Sequence, residues 1–170
     1  MSTPLVSIII PCFNTASTVA ETVASVTAQS MRDFEIIAVD NNCTDTTVQV
    51  LTDLAEREPR LRIIHEPVQG LSAARNGGIR AANGKFIALL DADDLWDVDY
   101  LERHIANLAD QEVGISYARV RMIDMAGRPT GQITNPQLRD LTPTDLLRSK
   151  SMHSIDRGAR RNLPRCRVVR

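Results

Sequence analysis

Short apolar runs alternate with amphipathic segments along most of the chain. The runs are rich in Val and Ile and are bounded by polar residues or prolines, a pattern typical of buried strands. They lie at 5–10, 34–39, 61–65, 86–90, 113–117 and 119–123. Pro11 directly follows the first run, so the first strand is predicted to stop before it.

Between these runs, apolar residues recur every three or four positions, which predicts helices. The predicted helices lie at 19–28, 48–55, 71–82, 100–108 and 143–149. Asp45 or Thr46 is a suitable N-cap for the second of them. Asn83 and Gly84 both tolerate the left-handed conformation, so they are predicted to form the C-cap of the third helix.

The alternation of strands and helices predicts an α/β fold with a doubly wound, mostly parallel sheet. Residues 4–148 are expected to form this one domain. Residues 149–170 form an atypical basic tail with clustered arginines and no apolar periodicity, for which we expect disorder or an aberrant sequence. We favour a truncated chain over the alternative, a basic tail that contacts anionic membrane lipid.

Composition and charge exclude several classes of protein. The 170 residues are 43% hydrophobic and 24% charged, with a net charge of -1, which is ordinary for a globular protein and gives no reason to expect a nucleic-acid partner. Apolar runs are shorter than the roughly 20 residues that span a bilayer, and the first residues do not resemble a signal peptide. Three dispersed cysteines indicate neither disulfides nor zinc. A cytoplasmic location is expected, with peripheral membrane association left open.

The strongest chemical signal is the sequence Asp-Ala-Asp-Asp at residues 91–94, directly after a predicted buried strand. In an extended segment, residues i and i+2 point the same way, so Asp91 and Asp93 would address one ligand together. Such an oxygen-rich pair suits Mg²⁺ or Mn²⁺. The alternative is that these residues are solvated turn positions. Asp94 is interpreted only as a cap of the following helix.

Three further polar residues are candidates for binding a ligand, because ligands bind beyond the carboxyl ends of parallel strands. Asp40 and Asn41 end the second strand and would contact a base and ribose, although an ordinary turn is the alternative. Arg75 lies on a helix among small residues, where its guanidinium suits a diphosphate; the alternative is an exposed helix arginine. The three histidines receive no role, and Cys12 and Cys43 are interpreted as small packed thiols.

Together, these features resemble the family 2 glycosyltransferases of the GT-A fold, over roughly residues 4–148. The matching stretches are Val6–Asn14, Phe34–Asp40, Gly70–Gly78 and Leu89–Asp94. The resemblance implies a nucleotide-diphosphate sugar donor and transfer of its sugar to an acceptor hydroxyl, with inversion at the anomeric centre. The identities of the acceptor and of the base are not readable from the sequence.

The resemblance also implies roles for individual residues. Asp93 would bind Mg²⁺ or Mn²⁺ directly, and Asp91 would contact ribose or a metal-bound water. Pro11 and Phe13 would border the nucleotide, and Arg75 would lie near the ribose or diphosphate. In the family, the position of Asn41 is usually a second aspartate that accepts from the base; the Asn41 amide oxygen can also accept.

The resemblance leaves the catalytic base unassigned. In the family it commonly belongs to a Glu-Asp or Asp-Asp pair beyond the donor half, and no such pair follows Asp94 here. The alternative function is therefore a catalytically incompetent fragment that only binds nucleotide sugar. A nucleotidyltransferase is disfavoured, because residues 11–17 lack a Gly-rich loop with a basic residue.

Overall fold

The computed structural model describes residues 3–110, 113–124, 127–134, 154–156 and 165–168. The chain divides into two compact units, residues 1–102 and 103–170, and each is described separately. Among the described residues, no helix is both long enough and apolar enough to span a membrane.

The first unit is built on four parallel strands. The strands are β1 (Val6–Cys12), β2 (Phe34–Asp40), β3 (Leu61–His65) and β4 (Phe86–Leu89). Their order across the sheet is β3-β2-β1-β4, and each neighbouring pair is parallel. This order confirms the predicted α/β fold with a mostly parallel sheet.

One helix follows each of these strands, at the predicted positions. They are α1 (Val19–Thr27), α2 (Thr47–Ala55), α3 (Leu71–Ala81) and α4 (Tyr100–Leu108). Thr46 occupies the N-cap position of α2 without a side-chain hydrogen bond; Asp45 instead accepts from the Thr47 N–H at 2.9 Å. Of the two predicted caps, Asp45 therefore supplies the side-chain oxygen.

Helix α3 packs directly on the central strands. Ala74 belongs to one buried apolar cluster with Ile9, Ile37, Val39 and Ile87. The close approach depends on Gly78, because a Cβ at that position would lie only 2.4 Å from Ile9 Cγ2. The glycine thus brings the helix that carries Arg75 against the middle of the sheet.

The first strand continues through Pro11, contrary to the prediction that it stops there. Ile9 directs its carbonyl towards the β4 side, where it accepts from the Leu90 N–H at 3.0 Å. Pro11, two residues on, points its nitrogen to the same side, but β4 pairs with β1 only as far as Ile9. The missing N–H of Pro11 therefore costs no ladder hydrogen bond.

The predicted left-handed cap at Asn83 and Gly84 is also wrong. Helix α3 ends at the extended residue Ala82, and neither Asn83 nor Gly84 has a positive φ. Gly84 instead meets a steric requirement: a Cβ there would lie 2.5 Å from the Ser7 backbone nitrogen. The sequence signal was genuine, but its cause is close packing rather than backbone handedness.

Glu35 joins three segments at the amino edge of the sheet. Its carboxylate accepts from Ser7 Oγ at 2.6 Å, from the Asn83 N–H at 2.8 Å and from Arg62 Nε at 3.1 Å. Burial acts to raise the pKa of Glu35, but these hydrogen bonds and the Arg62 charge outweigh it and lower the pKa. The ionised form is therefore favoured in the folded state.

We expect Glu35→Gln to reduce the acid sensitivity of folding. A carboxyl group whose pKa is depressed by folding stabilises fully above its unfolded pKa, and that contribution is lost as pH falls through the folded pKa. The free energy of unfolding should therefore fall less in Glu35→Gln than in the wild type between pH 7 and about pH 3. Urea denaturation at both pH values measures this. The exposed Glu21→Gln is the control, and an equal fall in all three proteins would contradict the prediction.

The second unit contains the remaining strands. They are β5 (Val113–Tyr117), β6 (Val120–Ile123), β7 (Pro129–Thr134), β8 (Ser154–Asp156) and β9 (Arg165–Val168). Strand β5 pairs antiparallel with β8 and parallel with β9, and β6 pairs antiparallel with β7. Strand β7 was not predicted from the sequence.

Strands β8 and β9 lie within residues 149–170, where no strand or helix was predicted from the sequence. Each is only three or four residues long, and both pair with the apolar strand β5. Segments this short have no periodicity to detect, since their partner supplies the order. The helix predicted at 143–149 lies outside the described residues, and the division at residue 148 stays a prediction.

Candidate functional site

The carboxyl ends of the four parallel strands bring the predicted polar segments to one edge. Cys12 pairs with Asp40, and Asp40 pairs with His65, so β1, β2 and β3 end level with one another. On the other side of β1, Leu89 pairs with Ile9, and the acidic sequence begins two residues later. This is the edge at which parallel sheets bind ligands.

An ion pair between Arg75 and Asp91 lies at this edge. Arg75 Nη2 donates to Asp91 Oδ1 at 2.6 Å, joining helix α3 to the segment after β4. Both side chains are partly exposed, 29% for Arg75 and 36% for Asp91. The Arg75 Nε is nevertheless buried and has no hydrogen-bond partner in the described part of the chain. A guanidinium carries five N–H donors, and Asp91 is bonded to Nη2, so this partly exposed side chain has further donors for a ligand at the edge.

Asp91 to Asp94 form a turn, which corrects the extended geometry assumed from the sequence. The Asp94 N–H donates to the Asp91 carbonyl at 3.1 Å. Ala92 is buried, and its carbonyl accepts from Thr22 Oγ1 at 2.9 Å, which ties the turn to helix α1. Asp93 is exposed. The argument that i and i+2 side chains point the same way therefore does not apply here.

The donor set at this turn fits a hard divalent cation. Asp91 and Asp93 present carboxylate oxygens that water can reach, and such cations take waters and phosphate oxygens as their other ligands. Within the described ranges, no group of three or more His, Cys, Asp and Glu side chains is placed to hold an ion. Waters or oxygens of a bound ligand would complete the coordination of an ion held by these two carboxylates.

Asp40 is held rigidly at the end of β2. Its carboxylate accepts from the Cys43 N–H at 2.9 Å and from His65 Nδ1 at 3.0 Å. Burial acts to raise the pKa of Asp40, but these bonds outweigh it and lower the pKa. Asp40 is thus an ionised acceptor in a fixed position.

Asn41, by contrast, is directed into the protein. It is 2% exposed, and its Nδ2 donates to the Glu66 carbonyl at 2.8 Å and to the Val68 carbonyl at 2.7 Å. Its Oδ1 accepts from the Gly70 N–H at 2.8 Å, with a longer contact of 3.4 Å from Gln69 Nε2. All of these partners belong to the loop between β3 and α3.

Pro11 and Phe13 differ in exposure. Pro11 is buried within β1, whereas the Phe13 side chain is 52% exposed beyond it. Asn14 follows with a φ of 54° and links this loop to the next one, its Oδ1 accepting from the Thr44 N–H at 2.8 Å. The aromatic ring is therefore presented to solvent from a loop that is held in place.

No role was predicted for His65, although it contacts Asp40. The signal was its position opposite Asp40 at the strand ends, which becomes visible only once the register is known.

The structure supports the interpretation of Cys12 and Cys43 as packed thiols. Burial, with the nearby Cys43, raises the pKa of Cys12 to about 12. Cys43 Sγ donates to the Cys12 carbonyl at 3.3 Å.

The chain is similar to known proteins of one family. The model described as glycosyl transferase family 2 matches residues 7–170. The uncharacterized glycosyltransferase EpsJ of Bacillus subtilis (strain 168) is 43% identical over 91 residues, which are 54% of this chain and 26% of EpsJ. The UDP-Glc:alpha-D-GlcNAc-diphosphoundecaprenol beta-1,3-glucosyltransferase WfgD of Escherichia coli is 30% identical over 120 residues, 71% of this chain and 47% of WfgD.

A solved structure shares the fold. The mannosyltransferase PcManGT from Pyrobaculum calidifontis, solved in complex with GDP-Man and Mn²⁺, superposes with a TM-score of 0.65 at 30% identity. The match covers 72% of this chain and 37% of PcManGT. The chain thus spans less than half the length of each of these three proteins.

Proposed function

The chain belongs to glycosyl transferase family 2, and from this we propose that it binds a nucleoside-diphosphate sugar for transfer of the sugar to an acceptor hydroxyl. The observation that carries the proposal is the partly exposed Arg75–Asp91 pair at the carboxyl ends of the strands, joined by a 2.6 Å hydrogen bond. A diphosphate supplies the acceptor oxygens that this guanidinium lacks.

Different residues at the edge contact different parts of the donor. Asp40, ionised and fixed, accepts from an N–H or O–H of the nucleoside. Phe13, exposed after β1, gives a flat apolar surface beside the base, and Pro11, buried at the end of the same strand, would border the nucleotide. Arg75 donates to the diphosphate, where its charge stabilises the negative charge that develops as the sugar leaves.

Asp93 and Asp91 would hold a divalent ion, Mg²⁺ or Mn²⁺, against the same diphosphate. When bound, such an ion neutralises charge on the leaving group. The exposure of Asp93 and the partial exposure of Asp91 support this assignment, as both carboxylates are accessible to a ligand that enters from solvent.

Transfer with inversion requires a base to take the proton of the acceptor hydroxyl. None of the edge residues described above is assigned this role. Binding of the donor without transfer is accordingly the alternative function. An assay that follows both binding of the sugar nucleotide and release of free nucleoside diphosphate separates the two.

We expect Mn²⁺ to strengthen the binding of UDP or GDP, and Asp93→Ala to remove this increase. The reason is that Asp93 would help to hold the ion, which would neutralise negative charge on the diphosphate. Isothermal titration of each nucleotide, in Mn²⁺ and in EDTA, measures the effect. Both bases are tested because GDP-Man is bound by PcManGT, while the name of WfgD specifies UDP-Glc.

The matched control is Asp33→Ala, an exposed aspartate that precedes β2 at the opposite edge of the sheet. It should bind as the wild type does. If the folded wild-type chain binds neither nucleotide, the proposed donor site is wrong. An Asp93→Ala variant that keeps the full Mn²⁺ effect would remove Asp93 from the site.

A further inference from the structure

We propose that Asn41 is a positioning residue that sets Arg75 against the donor diphosphate, and that it does not recognise the base. The proposal rests on the proposed donor site and adds to it a specific route from the end of β2 to helix α3. It departs from the base-accepting role that the family resemblance implies for this position.

The hydrogen-bonding groups of the Asn41 amide are all occupied within the protein. The amide orientation is fixed by its neighbours, because the Glu66 and Val68 carbonyls can only accept and the Gly70 N–H can only donate. Both donor hydrogens are used, and the oxygen accepts from the backbone. With 2% of the residue exposed, a base cannot reach this oxygen unless the loop opens.

The backbone that Asn41 holds at Gly70 determines where α3 begins. Gly70 directly precedes the helix with a φ of 132°, a conformation that favours glycine. Its N–H is held by Asn41 Oδ1, and its carbonyl accepts from the Ala74 N–H at 3.0 Å in the first turn. Arg75 is the next residue, so a shift of Gly70 moves the guanidinium relative to Asp91.

Glu66 fixes the same loop from a second side. The Glu66 carboxylate accepts from the Val68 N–H at 3.1 Å and from Arg80 Nη2, on α3, at 2.6 Å. Asn41 and Glu66 therefore hold one short loop between the end of β3 and the start of α3. A loop held in this way keeps Arg75 in position before the donor arrives.

The positioning role and the base-accepting role predict different effects of Asn41→Asp on nucleotide binding. It lacks the N–H groups that the Glu66 and Val68 carbonyls require, and it would put a negative charge 2.7–2.8 Å from both oxygens. A base-accepting role would tolerate aspartate, because a carboxylate oxygen accepts at least as well as an amide. The ranking of the variants therefore distinguishes the two roles.

The test is titration of UDP and GDP, with Mn²⁺, into the wild type, Asn41→Ala, Asn41→Asp, Arg75→Ala and the double variant Asn41→Ala/Arg75→Ala. We expect Asn41→Ala to weaken the binding of UDP and of GDP about tenfold each, so that the ratio of the two affinities does not change. Asn41→Asp should weaken the binding of both further. In the Arg75→Ala background, Asn41→Ala should have little additional effect, because it acts through Arg75. Gln69→Ala is the matched control, because it removes the 3.4 Å contact to Asn41 and a 3.1 Å hydrogen bond from Asn42 but leaves the Asn41 bonds to the loop backbone in place.

Hydrogen exchange of the Gly70 amide tests the same link without nucleotide, and we expect faster exchange in Asn41→Ala. Thermal melting identifies any variant that fails to fold; the Asn41→Ala cycle remains decisive if Asn41→Asp is lost. The proposal is overturned if Asn41→Asp binds as the wild type does, if the UDP-to-GDP ratio changes, or if the two alanine effects simply add. Failure of the wild type to bind either nucleotide would instead refute the donor site itself, and the positioning role with it.

Discussion

Replacing Arg75 with alanine is expected to weaken binding of the nucleoside diphosphate by on the order of 100-fold, because charge-assisted hydrogen bonds contribute about 1.5–3 kcal/mol each. The variant removes the donors aimed at the diphosphate and leaves Asp91 without its 2.6 Å partner. Folding should change little, since partly exposed ion pairs contribute at most about 1 kcal/mol. Titration of UDP and GDP together with urea denaturation separates the two effects.

Two further variants sharpen this prediction. Arg75→Lys keeps the charge but loses the forked geometry, so its affinity should lie between those of the wild type and Arg75→Ala. Arg80→Ala removes an ion pair of the same 2.6 Å length from the same helix, but its partner is Glu66. Because Glu66 keeps its bond to the Val68 N–H and Asn41 still holds Gly70, this variant should weaken nucleotide binding less than Asn41→Ala does, by at most about threefold. Equal losses in Arg75→Ala and Arg80→Ala would mean that α3 responds to any lost ion pair.

Gly78→Ala should produce the largest loss of stability, about 1–3 kcal/mol of the free energy of unfolding, which is typical of overpacking a core. The new Cβ would lie 2.4 Å from Ile9 Cγ2 and 3.2 Å from Val39 Cγ2, both fully buried. Neither strand can retreat, because β1 and β2 pair with each other in the middle of the sheet. Alanine's better helix propensity, up to about 1 kcal/mol, recovers only part of this cost. Urea denaturation measures the difference.

The adjacent glycine provides the control. A Cβ at Gly77 would meet Glu66 Oε2 at 2.9 Å and Glu66 Cβ at 3.3 Å, both longer than the 2.4 Å contact at Gly78. Relief requires a shift of one carboxylate, at the expense of its hydrogen bonds to Val68 and Arg80, rather than a shift of two strands. Gly77→Ala should therefore cost less than Gly78→Ala, although both residues lie in the same helix. A Gly78→Ala variant as stable as the wild type would show that α3 can move away from the sheet without cost.

The sequence by itself determined the order of the elements in the first unit. The β-branched runs at β1 to β4 and the intervening apolar periodicity reflect local requirements, namely burial of both faces of a parallel sheet and of one face of each helix. The position of Asp40, Asp91 and Asp93 beyond strand ends followed from the same pattern. Family-specific motifs then pointed to the nucleotide-sugar donor, which composition alone does not indicate.

Only the tertiary structure decided which partners these residues meet. The register of β2 and β3 brings His65 to Asp40, and the β3–α3 loop occupies the Asn41 amide, although 25 to 29 residues separate the partners. Likewise, β8 and β9 were missed because three- and four-residue strands are ordered by their partner rather than by their own sequence. Gly84 and Pro11 were assigned the wrong local roles for the same reason. Steric contact and ladder hydrogen bonding at those positions depend on a neighbouring strand that is distant along the chain.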